Sequence, residues 1–243
     1  MIKRILFKGI CFENIRSFDF NKIIKKKGLF VFPSGPGLAS IDSSPKYHNS
    51  LKKADLVFFD SGFFVLLLRF FKNIKVNKFS GYKFLNFFFI YLRNNDVSIF
   101  CIDPNKKVSK SNKKYFNKLG VKKIYSYLAP IYNPEKIIDK QLLKKINKFK
   151  PNFIITNIGG GTQEILGLYL ITNLKFKTTI LCTGGAISYF TGEQAPIVNL
   201  IDKLYLGWLT RIIFYPIIFL KRYLLAFRLL PIVLKSKVEV KYR

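Results

Sequence analysis

Short apolar runs that each end on a small or polar residue, with a helical pattern behind each, leave this chain few folds to adopt. Leu29-Phe30-Val31-Phe32 runs into Pro33-Ser34-Gly35-Pro36-Gly37, and Leu56-Val57-Phe58-Phe59 ends on Asp60-Ser61-Gly62. Phe153 to Asn157 precedes Gly159-Gly160-Gly161-Thr162-Gln163-Glu164, and Thr178 to Cys182 precedes Thr183-Gly184-Gly185-Ala186. Further strands are expected at 97–102 and 121–126, with helices over 44–54, after Gly62, and at 82–93, 108–119, 133–149 and 165–172. Fully apolar strands alternating with helices predict an α/β fold, a mostly parallel, Rossmann-like sheet covered by helices on both faces. Such sheets bind ligands beyond the carboxyl ends of their strands.

The loops at those ends carry the candidate chemistry. Asp60 at a strand end is either a catalytic base or a cap for the helix that follows. The glycine run 159–161 opens a helix, whose free N–H groups and positive end suit a diphosphate, although the run matches neither GxGxxG nor a P-loop. The Pro33–Gly37 loop is a bare turn or a place of close ligand approach. The single histidine, His48, lies on a polar helix and reads as a surface residue, while Asp55 closes a helix or pairs with Lys52.

Apolar residues at 49% and aromatics at 16% exclude a disordered chain. The formal charge of +29 favours polyanionic partners or reflects a solvated lysine surface. Nucleic acid is not the expected partner, because lysines are spread along the chain and no RNP, KH or zinc pattern occurs. Cys11, Cys101 and Cys182 are far apart and form no CxxC, which predicts free thiols in a reducing, cytoplasmic setting. No window offers the roughly 18 uncharged apolar residues a membrane span needs, since Asp60, Arg69, Arg211 and Lys221 interrupt the best candidates, and the apolar run within Met1 to Ile10 is too short for a signal peptide. From Leu204 to Leu234 the only charges are Arg211, Lys221, Arg222 and Arg228, and Pro216 can open a helix with Lys221 and Arg228 on one side. That stretch suits an anionic membrane surface, or packing onto the core. The expected organisation is an α/β core at 1–203 and a basic, helical, membrane-associating appendage at 204–243.

Several segments in order carry a family resemblance. They are Ala54 to Gly62, Ser80-Gly81-Tyr82, Thr162-Gln163-Glu164, Gly184-Gly185-Ala186, Gln194-Ala195-Pro196, Gly207-Trp208-Leu209-Thr210-Arg211, Pro216 and Lys221-Arg222-Tyr223. From about Leu29 to Phe227 the chain resembles the WecG/TagA/CpsF glycosyltransferases, bacterial enzymes that add a sugar to a lipid-linked precursor of a cell-surface polymer. The resemblance implies metal-independent, inverting transfer from a UDP-N-acetylmannosamine-type donor to a polyprenyl-diphosphate-linked acceptor, without a cofactor, at the inner face of the cell membrane. It implies Asp60 as general base and Gln163 as its polar partner. Donor binding falls to Ser34, Gly35, Gly81, Tyr82, Gly159, Gly160, Gly161, Thr162, Glu164, Gly184, Gly185, Arg211 and Arg222, and no residue is expected to hold a metal. The chain departs from the family pattern at Ser34, which replaces an Asn, at Gly161-Thr162, which replace Pro-Lys, at Lys83, and at Ser61, inserted between Asp and Gly. The alternatives are a non-catalytic relative that binds a UDP-sugar and a basic nucleic-acid-binding protein.

Overall fold

The computed structural model describes residues 2–193 and 224–242. Among them a sheet of nine strands runs in the order β6-β5-β7-β8-β3-β4-β2-β1-β9. The strands are β1 (Ile2–Phe7), β2 (Ile10–Glu13), β3 (Gly28–Val31), β4 (Leu56–Phe58), β5 (Ser98–Asp103), β6 (Lys123–Leu128), β7 (Phe153–Thr156), β8 (Thr179–Cys182) and β9 (Val238–Tyr242). From β6 to β2 every pairing is parallel, and β1 pairs antiparallel with both β2 and β9. The expected α/β class therefore holds, with an antiparallel margin that the alternation of strands and helices does not announce.

Strand side chains alternate between two cores. Leu29, Val31, Val57, Ile154 and Ile180 face one side, packed under helices α3 (Pro45–Lys52), α4 (Gly62–Lys72), α7 (Lys140–Phe149), α8 (Thr162–Asn173) and α10 (Leu229–Lys235). Phe30, Phe32, Leu56, Phe58 and Ile155 face the other, under α1 (Phe20–Ile23), α5 (Gly81–Arg93) and α6 (Lys106–Lys118). Two short helices, α2 (Gly35–Leu38) and α9 (Ser188–Thr191), lie in the loops that follow β3 and β8. Phenylalanine fills the second core: Phe32 stacks on Phe58 at 4.4 Å, and Phe84 meets both rings.

Some boundaries differ from the sequence expectation for clear reasons. The helix expected from Asn133 begins at Lys140, because Asp139 caps it by accepting the Leu142 N–H. That carboxylate also accepts the Tyr127 and Tyr132 hydroxyls, which ties the preceding loop to β6. The basic lead-in holds the β1–β2 hairpin, and the expected helical appendage ends in β9, an edge strand of the same sheet. Asp55 does not act on Lys52: it accepts the Leu29 N–H at 2.7 Å and so starts β3. Among the described residues no helix is long and apolar enough to cross a membrane.

Candidate functional site

The loops flagged by sequence leave strands β7, β8, β3 and β4, which are consecutive and parallel in the sheet. Their carboxyl ends therefore share one edge, spanning about 14 Å at 4.8 Å per strand. Contacts between the loops close the arrangement. A Cβ built on Gly35 would lie 3.0 Å from Ser61 Oγ, one on Gly81 would lie 3.5 Å from the Thr183 carbonyl oxygen, and one on Gly184 would lie 3.4 Å from Gln163 Nε2. Gly184 also has φ of +58°, where an L side chain is strained.

Asp60 is half-buried just beyond β4, at one end of this edge. Its Oδ1 accepts the backbone N–H of Gly81 at 2.9 Å, at the start of α5. The cap of the following helix α4 is its neighbour Ser61, whose Oγ accepts the Phe64 N–H at 3.2 Å. So the residue inserted between Asp and Gly takes over the capping role, and Asp60 serves a different helix. The same division recurs nearby: Ser34 Oγ accepts the Gly37 N–H and Ser80 Oγ accepts the Lys83 N–H. Tyr82 is half-buried and stacks on Phe190 at 4.8 Å.

Gln163 lies inside the wall of the site. Only 2% exposed, it donates through Nε2 to the Cys182 carbonyl and to Glu164 Oε1, and its Oε1 accepts the Thr156 hydroxyl. It thereby ties α8 to β7 and β8. Glu164, 1% exposed, reaches back and accepts the Gly161 N–H at 2.6 Å. One amide of the glycine run is thus already engaged, and a buried carboxylate faces the positive end of α8. Gly159 and Gly160 are exposed, and a Cβ on Gly159 or Gly161 would meet nothing within 4 Å, so the run borders open space. Thr162 is half-buried, Gly184 is buried and Gly185 is exposed. Arg211 and Arg222, like the Gln194 to Tyr223 landmarks, lie outside the described residues.

The sequence reading passed over a polar cluster on the neighbouring strand. Asp103 ends β5, is fully buried, and accepts both Asn112 Nδ2 and Asn157 Nδ2 at 2.7 Å through Oδ1. Burial pushes its carboxyl up from the ordinary value, against the lowering effect of Asn157, Asn112 and the nearby Ser109 hydroxyl. Asp103 Oδ2 and the Oδ1 atoms of Asn112 and Asn157 have no hydrogen-bond partner, nor does the Thr183 hydroxyl. The signal was present: Ser98 to Ile102 is an apolar run ending on an acid, the same pattern that singled out Asp60. Among the described residues no cluster of three His, Cys, Asp or Glu side chains is arranged to hold a metal ion.

Comparison with known families gives one finding that spans the molecule. The model of the glycosyl transferase WecG/TagA/CpsF family matches residues 9–243, nearly the whole chain. No curated protein matches it.

Proposed function

This chain belongs to the WecG/TagA/CpsF glycosyltransferase family, and from that premise we propose that it moves an N-acetylmannosamine-type sugar from a UDP donor to a polyprenyl-diphosphate-linked acceptor. The observation that carries the reading is Asp60, a half-buried carboxylate whose Oδ1 is anchored by the Gly81 N–H, at an edge shared by four parallel strand ends. The anchor restricts the carboxylate's orientation before substrate arrives.

In this mechanism the acceptor hydroxyl approaches the anomeric carbon from the face opposite UDP. Its oxygen–carbon bond forms as the bond to the diphosphate oxygen breaks, the proton passes to Asp60, and the configuration inverts. Charge developing on departing UDP falls toward the open glycine run 159–161, with Arg211 and Arg222 as cationic partners. Gln163 acts as a positioning residue that holds the ends of β7 and β8, in place of the polar partner to Asp60 that the family resemblance implies. The protein works peripherally at an anionic membrane surface, where its acceptor is embedded, with the basic C-terminal residues as its contact.

Asp60→Asn is the discriminating variant, because the amide oxygen can still accept the Gly81 N–H while the base is lost. With UDP-N-acetylhexosamines and a polyprenyl-diphosphate-linked acceptor, wild type is expected to release UDP. The variant should turn over about 10² to 10⁴ times more slowly while still binding UDP. Equal rates would remove Asp60 from the mechanism, and UDP binding without turnover by wild type would assign a non-catalytic relative.

A further inference from the structure

The outer side of α4 carries apolar surface that the core does not use. Phe64, Val65, Leu67 and Leu68 are buried, whereas Phe70 is 72% and Phe71 52% exposed. Phe63, Leu66 and Phe70, at i, i+3 and i+7, form one stripe that leads from Phe63, half-buried and packed against the core, past half-buried Leu66 to exposed Phe70. It runs beside the C-terminal segment: the Phe63 ring meets the Phe227 ring at 5.5 Å, and Lys72 Nζ donates to the Leu234 carbonyl at 3.0 Å. That segment exposes Leu224, Leu225, Phe227 and Leu234 in turn. Large exposed side chains of α4 and of the segment packed beside it thus put apolar surface on the same face of the sheet, of a kind monomeric soluble proteins seldom leave bare.

The charges that these two segments carry have one sign. Arg69 and Lys72 lie on α4, and Arg228 and Lys235 flank the exposed residues of the C-terminal segment. From Ser61 to Asn95, and from Lys203 to Val238, the chain contains no Asp or Glu. Both segments are thus basic without acidic residues of their own, and an anionic bilayer offers apolar depth beneath a negative surface, which matches both features at once.

We propose that α4, a helix of the catalytic core, docks on the anionic membrane together with residues 224–235, its Phe70 and Phe71 entering the headgroup boundary. This rests on the membrane-surface location proposed above and adds a contact to it. Asp60 lies two residues before α4, and the Phe63–Phe227 contact lies at the same end of that helix. The docked face therefore begins beside the site edge at Phe63 and extends about 10 Å to Phe70 at 1.5 Å per residue. A lipid-linked acceptor would enter along the Phe63 end, next to Asp60.

The test is co-sedimentation of the full chain with vesicles of phosphatidylcholine alone or containing phosphatidylglycerol. Wild type is expected to bind only the anionic vesicles and to be released by salt. Phe70→Ser with Phe71→Ser should weaken binding roughly tenfold or more while leaving the melting temperature and UDP binding unchanged. Ile90→Ser, on the opposite sheet face and equally exposed at 57%, is the control and should bind as wild type does. Wild-type binding that persists in the Phe70/Phe71 variant would overturn the role of α4 while leaving the C-terminal contact standing. Failure of wild type to bind anionic vesicles would instead remove the membrane reading itself. Self-association lost in the variant, without vesicle binding, would identify the face as a contact between copies and would also overturn the proposal.

Discussion

Two strand-end aspartates show how environment separates similar residues. Asp60 is half-buried and its acceptor role toward Gly81 survives amidation, so Asp60→Asn should melt closer to wild type than Asp60→Ala does. Asp60→Ala, which leaves the Gly81 N–H without that acceptor, should cost about 1–2 kcal/mol, measurable by denaturant unfolding. Asp103 is fully buried, lacks a cationic partner among the described residues, and has its carboxyl pushed up by desolvation. A raised folded value means that its stabilising contribution is intact below the ordinary 3.8 and is lost as pH rises through the raised value. Asp103→Asn keeps an oxygen for Asn112 and Asn157, and its amide can donate toward their unpaired Oδ1 atoms. The variant should therefore melt about 2–4 °C higher than wild type near pH 7, a gain that disappears near pH 3.5. A lower melting point at both pH values would show that the carboxylate is held charged by partners that amidation removes.

Among the elements, α8 was the easiest to anticipate and the easiest to misjudge. That a helix follows Gly159 to Gly161 was legible, but the expected range 165–172 leaves out its first turn, Thr162-Gln163-Glu164. What the first-turn side chains do was not legible, since hydrogen bonds from Gln163 to Cys182 and from Thr156 to Gln163 join positions separated by strands. Gln163 and Glu164 brace the loop from within, so the open space beside the glycines is shaped by buried groups. Removing the brace in Glu164→Ala leaves the Gly161 N–H and Gln163 Nε2 each short of an acceptor. The expected cost is about 2–3 kcal/mol, seen as a lower melting temperature with a larger proportional loss of UDP affinity than of stability-corrected turnover. Unchanged UDP affinity would detach the glycine run from donor binding. Helix α4 illustrates the same limit: its inward face follows from Phe64, Val65, Leu67 and Leu68, but its outward phenylalanines gain meaning only beside Phe227 and Leu234.

At the scale of the molecule, the parallel centre of the sheet was legible because strands buried on both faces are apolar nearly throughout, as Leu29 to Phe32 and Phe153 to Ile155 are. The margins were not. In β9, Val238, Val240 and Tyr242 alternate with Glu239 and Lys241, a half-exposed edge pattern too short to distinguish from a tail, and its partner β1 lies at the other end of the sequence. The pairing means that the C-terminal segment is joined to the core on both sides of its chemistry, through Leu229 and Val233 in the core and through β9 at the edge. Deleting residues 238–242 should therefore leave β1 as an unpaired edge, lowering the melting temperature by several degrees and promoting aggregation. Membrane binding, measured well below that temperature, should persist because Phe70, Phe71, Leu224, Leu225 and Phe227 remain. A deletion that abolished vesicle binding while sparing stability would transfer the membrane contact to the strand and contradict the assignment to α4. For the same reason a wholesale truncation from residue 207 is a poor probe of anchoring, since it removes part of the core along with the proposed contact, whereas the Phe70 and Phe71 substitutions separate the two.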